Sequence, residues 1–262
     1  RRRWDAAAAG WELERETIAV VNAPVTDALL SALDAGPDDT VLDLASGTGD
    51  LTEALAGRVK RLISTDLSPA MVEAARRRGI LGAEHRVMDM QAIDLPDASV
   101  DAVACRFGLM LAPDPTLALR ETRRVLRPGG RLAFATWAGA DRNPWATAYG
   151  PVLAGRGLVE PPRPGDPGQF ALADTEQIEA LVLAAGFDEV EVEEVSVEYR
   201  FPDWAAYHRV VTGLAASLRE TLRSLDAETR AEVDAAARVR IDRFAGPAGY
   251  VLPGLALVTR AV

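Results

Sequence analysis

The stretch Val41-Leu42-Asp43-Leu44-Ala45-Ser46-Gly47-Thr48-Gly49-Asp50 decides the fold. A run that suits a buried strand passes into a turn of small residues. Asp50 to Leu55 then opens a helix, with Asp50 and Glu53 at the spacing of a capping box. Small residues let the backbone of such a turn approach a ligand closely at the carboxyl end of a parallel sheet.

Outward from that turn, short apolar runs alternate with helical patterns over residues 40–138. Leu62 to Thr65 reads as a second strand that ends in Asp66, and Ser68-Pro69 supplies an N-cap followed by a proline at the first helical position. His85 to Met88 is a weak third strand and Val100 to Cys105 a fourth. Asp114-Pro115 repeats the cap, and Ala118, Leu119, Thr122, Val125 and Leu126 share one helical face. Pro128-Gly129-Gly130 stops that helix before a fifth strand, Arg131 to Thr136. Alternation of this kind implies a parallel sheet covered on both faces.

The later part of the chain is less regular. Residues 139–170 read as a long loop rich in proline and glycine. Asp174 and Gln177 form a capping pair for a helix that stops at Gly186. Val190 and Val192 alternate in one phase, whereas Val195, Val197, Tyr199 and Phe201 alternate in the other, which predicts a bulge near Glu193-Glu194. Residues 203–245 read as two helices, with Trp204, Tyr207, Val211, Leu214, Leu218, Leu222 and Leu225 in one apolar stripe. Leu255 to Arg260 is a last strand.

The turn and Asp66 together favour a nucleoside-containing ligand, because a carboxylate at the end of the second strand accepts both hydroxyls of a ribose. A dinucleotide would want G-x-G-x-x-G/A. Here Thr52 holds the third glycine position, and Asp50 would stand beside the pyrophosphate, where a helix N-terminus prefers not to double its negative charge. S-adenosylmethionine carries an ammonium and a sulfonium but no phosphate, so Asp43 near the turn suits it better than NAD. Asp43 also has a plain reading as a turn-bonding aspartate.

These residues resemble the class I S-adenosylmethionine-dependent methyltransferases. Val41 to Gly49 is similar to their first motif, V-L-D-x-G-x-G-x-G, and departs from it where Ala45 replaces the first glycine. Ile63 to Met71 resembles the second-strand motif, whose acid, here Asp66, binds ribose. Met88-Asp89-Met90-Gln91, followed by Leu95-Pro96 and Ser99-Val100-Asp101, resembles the segment that holds adenine. Val125 to Leu132 resembles the approach to strand five. The likeness covers residues 41–138. Asn143-Pro144-Trp145 and the region from Phe170 to Phe187 look like the ubiquinone/menaquinone-type branch. The resemblance implies that Asp43, Ala45, Ser46, Gly47, Gly49, Asp66, Leu67 and Met71 bind the cofactor. It further implies that Asp89 accepts from the adenine amino group and Met90 covers the ring.

Methyl transfer is an in-line displacement, so the protein chiefly positions a nucleophile and excludes water, with a general base for some acceptors. His208, beside the apolar stripe, is the candidate base; its plain reading is a half-buried surface histidine. Arg106, after strand four, is a candidate contact for the methionine end of the cofactor or for an anionic substrate. Trp11, with Trp4, either folds over the cofactor or simply packs an added helix. Tyr149, Tyr199, Tyr207 and Tyr250 are undistinguished candidates to orient the acceptor. Asn143-Pro144-Trp145 superficially resembles the Asn-Pro-Pro-Tyr motif of amino-methylating nucleic-acid enzymes. That motif belongs after strand four, where this chain has Cys105-Arg106-Phe107-Gly108.

Composition narrows the class further. The 262 residues are 48% hydrophobic and 26% charged, which suits a folded core. Lys+Arg 29 against Asp+Glu 39 gives a net charge of −10, which opposes nucleic acid and anionic membranes as partners. One cysteine, Cys105, excludes an internal disulfide, and two histidines, His85 and His208, leave no metal site in view. No apolar run reaches the ~20 residues of a membrane helix, and the chain reads as soluble and cytoplasmic.

The expected architecture is an α/β, Rossmann-like, doubly wound seven-stranded sheet, its last strand antiparallel, with a helical lid. Residues 1–35 and 202–250 would form the lid, 36–201 the cofactor-binding core with 139–170 as its rim loop, and 251–262 the final strand. The expected activity is methylation of a small or medium apolar acceptor such as a quinone, a polyketide or another secondary metabolite. The lid helices leave room for a homodimer contact. The competing readings are a catalytically silent S-adenosylmethionine-binding sensor or partner subunit, and a nicotinamide-dependent oxidoreductase.

Overall fold

In the computed structural model, which describes residues 1–163 and 165–262, Val41, Leu42 and Leu44 are buried within β1 (Thr40–Leu44), with strands on both sides. The other strands are β2 (Arg61–Asp66), β3 (Ala83–Val87), β4 (Val100–Arg106), β5 (Leu126–Trp137), β6 (Val190–Phe201), β7 (Ala245–Gly246) and β8 (Gly249–Ala261). Their order is β3-β2-β1-β4-β5-β8-β6. Neighbours from β3 to β5 are parallel, and β8 runs antiparallel to both β5 and β6. The expected seven strands are present with the last one reversed. The two-residue β7 adds a short hairpin to β8.

The helices are α1 (Arg2–Leu13), α2 (Arg15–Leu33), α3 (Asp50–Leu55), α4 (Pro69–Arg77), α5 (Pro115–Val125), α6 (Gly150–Gly155), α7 (Thr175–Ala184), α8 (Trp204–Leu214), α9 (Ala216–Ser224) and α10 (Ala227–Asp242). Three caps are formed as the sequence predicts. Ser68 accepts from Met71 N, Asp114 from Leu117 N and Asp174 from Gln177 N. Each such cap is worth about 1 kcal/mol. No helix among the described residues is long and apolar enough to cross a membrane.

Several expectations are corrected. The proposed capping box at Asp50 and Glu53 does not form. Gly49, at φ +91°, is the N-cap of α3, and Arg78 takes both acidic side chains instead. β6 has no bulge: its register against β8 is continuous from Val190 to Phe201. The change of phase arises because Val190 and Val192 are half-buried on one face, while Val195, Val197, Tyr199 and Phe201 are buried on the other. The stripe over 203–225 belongs to two helices, α8 and α9, broken at Ala215, and α10 makes a third. The 139–170 segment is not loop throughout, since it holds two 3-10 turns (140–142 and 144–146) and α6.

The segment 1–35 also divides. α2 lies against β4, β5, β6 and β8 and buries Val25, Leu29 and Leu33, each contributing about 1.5–3 kcal/mol. It is a layer of the core. Only α1 stands apart from the sheet, held between α4 on one side and α8 and α9 on the other. Ser68 Oγ donates to Asp5 Oδ1 (2.6 Å), Arg77 pairs with Glu12 (2.8 Å), Trp11 Nε1 donates to the Leu214 carbonyl (3.2 Å), and Arg219 Nη2 donates to the Ala6 carbonyl (2.8 Å). Where α1 crosses α8, Gly10 meets Gly213 so closely that a Cβ on Gly10 would lie 2.0 Å from the Gly213 carbonyl oxygen.

This crossing sets two effects against each other. Helix propensity alone makes Gly10→Ala stabilising by up to about 1 kcal/mol, whereas the backbone clash forces α1 off α8. The expected result is a lower Tm and faster proteolysis within residues 1–13. A raised Tm would show that the crossing relaxes freely.

Candidate functional site

The turn after β1 is shaped by three left-handed residues, Ala45 (φ +52°), Gly47 (φ +55°) and Gly49 (φ +91°). It is fastened to the turn after β2 by one carboxylate. Asp66 Oδ2 accepts from Gly47 N (3.0 Å) and Oδ1 from Ser68 N (2.8 Å). Burial raises the Asp66 carboxyl above its ordinary range, against the pull of those two backbone N–H groups. Each oxygen keeps acceptor capacity toward the cavity of about 290 Å³ that these turns border.

Asp43 lies beneath the same cavity and is fully buried. Its Oδ2 accepts from Thr52 Oγ1 (2.6 Å); the Ser64 hydroxyl lies 3.0 Å from Thr52 Oγ1 and 2.9 Å from Ser46 Oγ. Its Oδ1 has no partner among the described residues. Burial raises its carboxyl to about 7, with the Thr52 hydrogen bond and the Arg106 charge opposing. A buried carboxylate oxygen without a donor is costly, and a cation is what would complete it.

Arg106, at the end of β4, donates from Nη1 to Thr26 Oγ1 on α2 (2.6 Å) and faces Asp50 from Nη2 (3.5 Å). Asp50 also receives Arg78 Nη1 (2.7 Å). The Asp50 carboxylate thus stands at the N-terminus of α3, where a dinucleotide would put its pyrophosphate. With Asp50 already matched by two arginines, the unpartnered Asp43 Oδ1 is what favours a cationic group on the ligand.

Of the residues expected to bind the cofactor, Asp43, Ala45, Ser46, Gly47, Asp66, Leu67, Met71, Asp89, Met90, Arg106 and Trp11 all line this one cavity. Gly49 does not. It faces α4, where a Cβ would come within 2.8 Å of Ile80 Cδ1 and 3.3 Å of Ala75 Cβ. Its glycine serves the helix cap and the close approach of α4. The departure at Ala45 keeps the turn, and its methyl group has room because residue 108 is glycine: a Cβ there would lie 2.4 Å from Ala45 Cβ. Asp89 Oδ1 accepts from Gln91 N (2.9 Å), which fixes the loop after β3.

His208 is not itself among the cavity-lining residues, although Tyr149 is. Its Nδ1 lies 2.6 Å from the Tyr149 hydroxyl, which itself donates to Asp234 Oδ1 (2.9 Å). Burial holds the imidazole below its ordinary range. The three-to-four-residue spacing that placed His208 beside the stripe could not tell which neighbours it would meet, and they are Tyr149 and Asp234 of α10. Cys105 is buried outside the lining, and its thiol is pushed up to about 12 by that burial. Among the described residues no cluster of metal-ligating side chains occurs.

The sequence reading missed an aromatic wall. Phe107, held at φ +62°, stacks on Trp137 (4.2 Å, 6°); Trp137 meets Trp145 edge-on (5.0 Å), and Trp145 stacks on Tyr199 (4.0 Å, 19°). All four line the cavity, as do Asn22 and Gln169. Asn143 aims Trp145. Its Oδ1 accepts from Trp145 Nε1 (3.0 Å) and Leu255 N (3.0 Å), and its Nδ2 donates to the carbonyls of Ala138, Gly139 and Leu255. Asn143-Pro144-Trp145 is therefore a fastening of the rim to β8. α1 contributes Trp4, Ala7 and Trp11 to the lining, together with Val211, Leu214 and Leu218 of α8 and α9. A second, shallower hollow between Asp141, Arg142, Arg243 and Phe244 contains none of the expected residues.

Comparison with known proteins agrees with this geometry. A family model described as "Methyltransferase domain" matches residues 42–134. The ubiquinone/menaquinone biosynthesis C-methyltransferase UbiE of Hydrogenovibrio crunogenus is 33% identical over 172 residues, 59% of this chain and 68% of that protein. The protein of the same name from Escherichia coli is 36% identical over 118 residues, 42% of this chain and 47% of that one. The chain thus spans about two thirds of the first relative and under half of the second. The crystal structure of YcgJ from Bacillus subtilis superposes with a TM-score of 0.59 at 18% identity, covering 90% of this chain and 96% of that one, a likeness of fold.

The Asp43 carboxyl makes opposite predictions for the empty and the loaded protein. Its folded pKa lies above the unfolded value, so its contribution to ligand-free stability is present below pH 4 and is lost as pH rises through about 7. Binding of a cation needs the ionised form. The Kd of S-adenosylmethionine, measured by calorimetry, should weaken below pH 7 by up to about tenfold per unit. Asp43→Asn should weaken binding and flatten the profile. An unchanged profile in that variant would remove Asp43 from the ligand's cationic end.

Proposed function

We propose that this chain, which belongs to the class I S-adenosylmethionine-dependent methyltransferases of the ubiquinone/menaquinone type, methylates a small or medium apolar acceptor beneath a helical lid. A quinone, a polyketide or another secondary metabolite fits that description. The observation that carries this reading is the unpartnered Oδ1 of Asp43, on a cavity whose far wall is aromatic.

S-adenosylmethionine is the cofactor, and when bound it supplies a methyl carbon made electrophilic by the adjoining sulfonium. Asp66 would accept from the ribose hydroxyls, Asp89 from the adenine amino group, and Asp43 from the ammonium. Met90 and Leu67 would cover the adenine. Arg106, already tied to Thr26 and Asp50, would stand toward the methionine carboxylate or the acceptor.

The acceptor end is largely apolar. Phe107, Trp137 and Trp145, with Val211, Leu214 and Leu218, line it and would keep water from the transfer path while presenting flat apolar surface. α1, α8 and α9 act as the lid in this reading. The candidate base, His208, is linked to the cavity through Tyr149, whose hydroxyl lies 2.6 Å from its Nδ1, and would receive the acceptor's proton only by way of that hydroxyl. A silent binder is the less favoured reading, because it gives the apolar half of the cavity no task.

Thermal melts with S-adenosylmethionine, S-adenosylhomocysteine and NAD test the cofactor. A ligand at about 100 times its Kd stabilises by ~2.7 kcal/mol, which raises Tm by roughly 5–10 °C for a chain of this size. The two adenosyl ligands should give that shift and NAD none. Quinol, phenol and amine acceptors with methyl-labelled cofactor test the substrate class. Label found only in protein or RNA would overturn the small-molecule reading.

A further inference from the structure

We propose that Tyr199 and Asn22 form an acceptor-recognition pair that grips a single hydroxyl group on a planar aromatic acceptor. The inference rests on the apolar-acceptor reading above and narrows it.

The chain has four tyrosines. Three have a partner for the hydroxyl: Tyr149 donates to Asp234, Tyr207 to the Trp145 carbonyl (2.9 Å), and Tyr250 to Asp242 (2.8 Å). Tyr199 makes no such bond within the described residues, although only 4% of it is exposed and it lines the cavity. A buried tyrosine normally pairs its O–H. Its ring is fixed by Trp145 on one face and by Phe201 (6.2 Å, 17°) beyond. A fixed ring with a free hydroxyl is a pre-placed donor.

Asn22 stands on α2, also 4% exposed and lining the same cavity, and its Oδ1 is buried without a partner. α2, which carries Asn22, packs against β6, which carries Tyr199, and both side chains open on the one cavity. Arg106 bonds Thr26, one turn after Asn22 on α2, and its charge opposes the effect of burial on the Tyr199 phenol. Tyr199 offers a donor and Asn22 Oδ1 an acceptor. A hydroxyl is the oxygen group that answers both at once, because it accepts from one and donates to the other. The neighbouring Trp137 and Trp145 supply the flat surface for the ring that carries it.

Ligand-observed NMR titrations of the S-adenosylhomocysteine-loaded protein test the pair with three probes of one shape: 2-naphthol, 2-methoxynaphthalene and 2-methylnaphthalene. The wild type should bind them in that order, with steps of about two- to tenfold, the range of one neutral hydrogen bond. Tyr199→Phe, which keeps the ring stack, should bring 2-methoxynaphthalene down to the level of 2-methylnaphthalene and should weaken 2-naphthol by one step, leaving it the advantage of its bond to Asn22. Asn22→Leu should weaken 2-naphthol alone, since the ether cannot donate. A merely structural role would weaken all three probes together, along with S-adenosylhomocysteine. If the naphthol preference is undiminished in both variants, the pair is overturned while the apolar-acceptor reading stands. If no naphthalene binds the wild type, both fall.

Discussion

Four charged side chains packed under the carboxyl edge of the sheet set the conditions for everything above them. Asp50 receives Arg78 and Arg106, and Asp43 lies within the field of Arg106. Removing an ion from water costs several kcal/mol even after relaxation, and an opposite charge with good hydrogen bonds offsets that cost. The network therefore specifies geometry more than it adds stability. It fixes the start of α3 to the end of α4, the end of β4 to α2 through Thr26, and both to the turn after β1. One oxygen is left over, Asp43 Oδ1, buried without a donor among the described residues.

What could be read from the sequence follows the distance over which each interaction acts. The caps at Ser68, Asp114 and Asp174 are three-residue interactions, and they form where their spacing places them. Asp43 and Asp66 were legible because a strand, a turn and a helix position them within a few residues. Asp50 and Glu53 have equally good local spacing, yet Arg78, 28 residues on from Asp50, captures both. An ionic partner that distant leaves no periodic mark. In β6 the phase change was real, but its cause is a regular strand covered on different faces at its two ends, which no pattern of alternation can separate from a bulge.

The aromatic wall was illegible for a stronger version of the same reason. Phe107 follows β4, Trp137 ends β5, Trp145 sits in a 3-10 turn, and Tyr199 lies in β6. Only the strand order, with β8 inserted between β5 and β6, brings these four segments to one cavity. The Asn143-Pro144-Trp145 stretch attracted a motif reading because its residues are unusual. Their chemistry is mechanical: one buried carboxamide satisfies five polar groups of a rim that would otherwise be loose. α1 and α2 adjoin in sequence but differ in what they bury: α2 puts Ile18, Val21, Val25, Leu29 and Leu33 into the core, whereas α1 buries only Ala7 and Ala8. Gly10, which lets α1 cross α8, is what parts α1 from the core layer.

The same logic explains why Ala45 does not abolish the turn. A non-glycine residue at φ +52° carries a cost on the order of 1–2 kcal/mol. That cost is tolerable if the methyl group has somewhere to go. It lies against the backbone of Gly108, in the turn after β4, where any Cβ would come within 2.4 Å of it and 2.8 Å of Cys105 Sγ. The two turns approach each other at the switch point of the sheet, and what the fold limits is their combined size. A glycine on either side satisfies the contact, but a side chain on both does not. A motif position in such a site is therefore half of a pair, and its partner stands 63 residues away in the sequence.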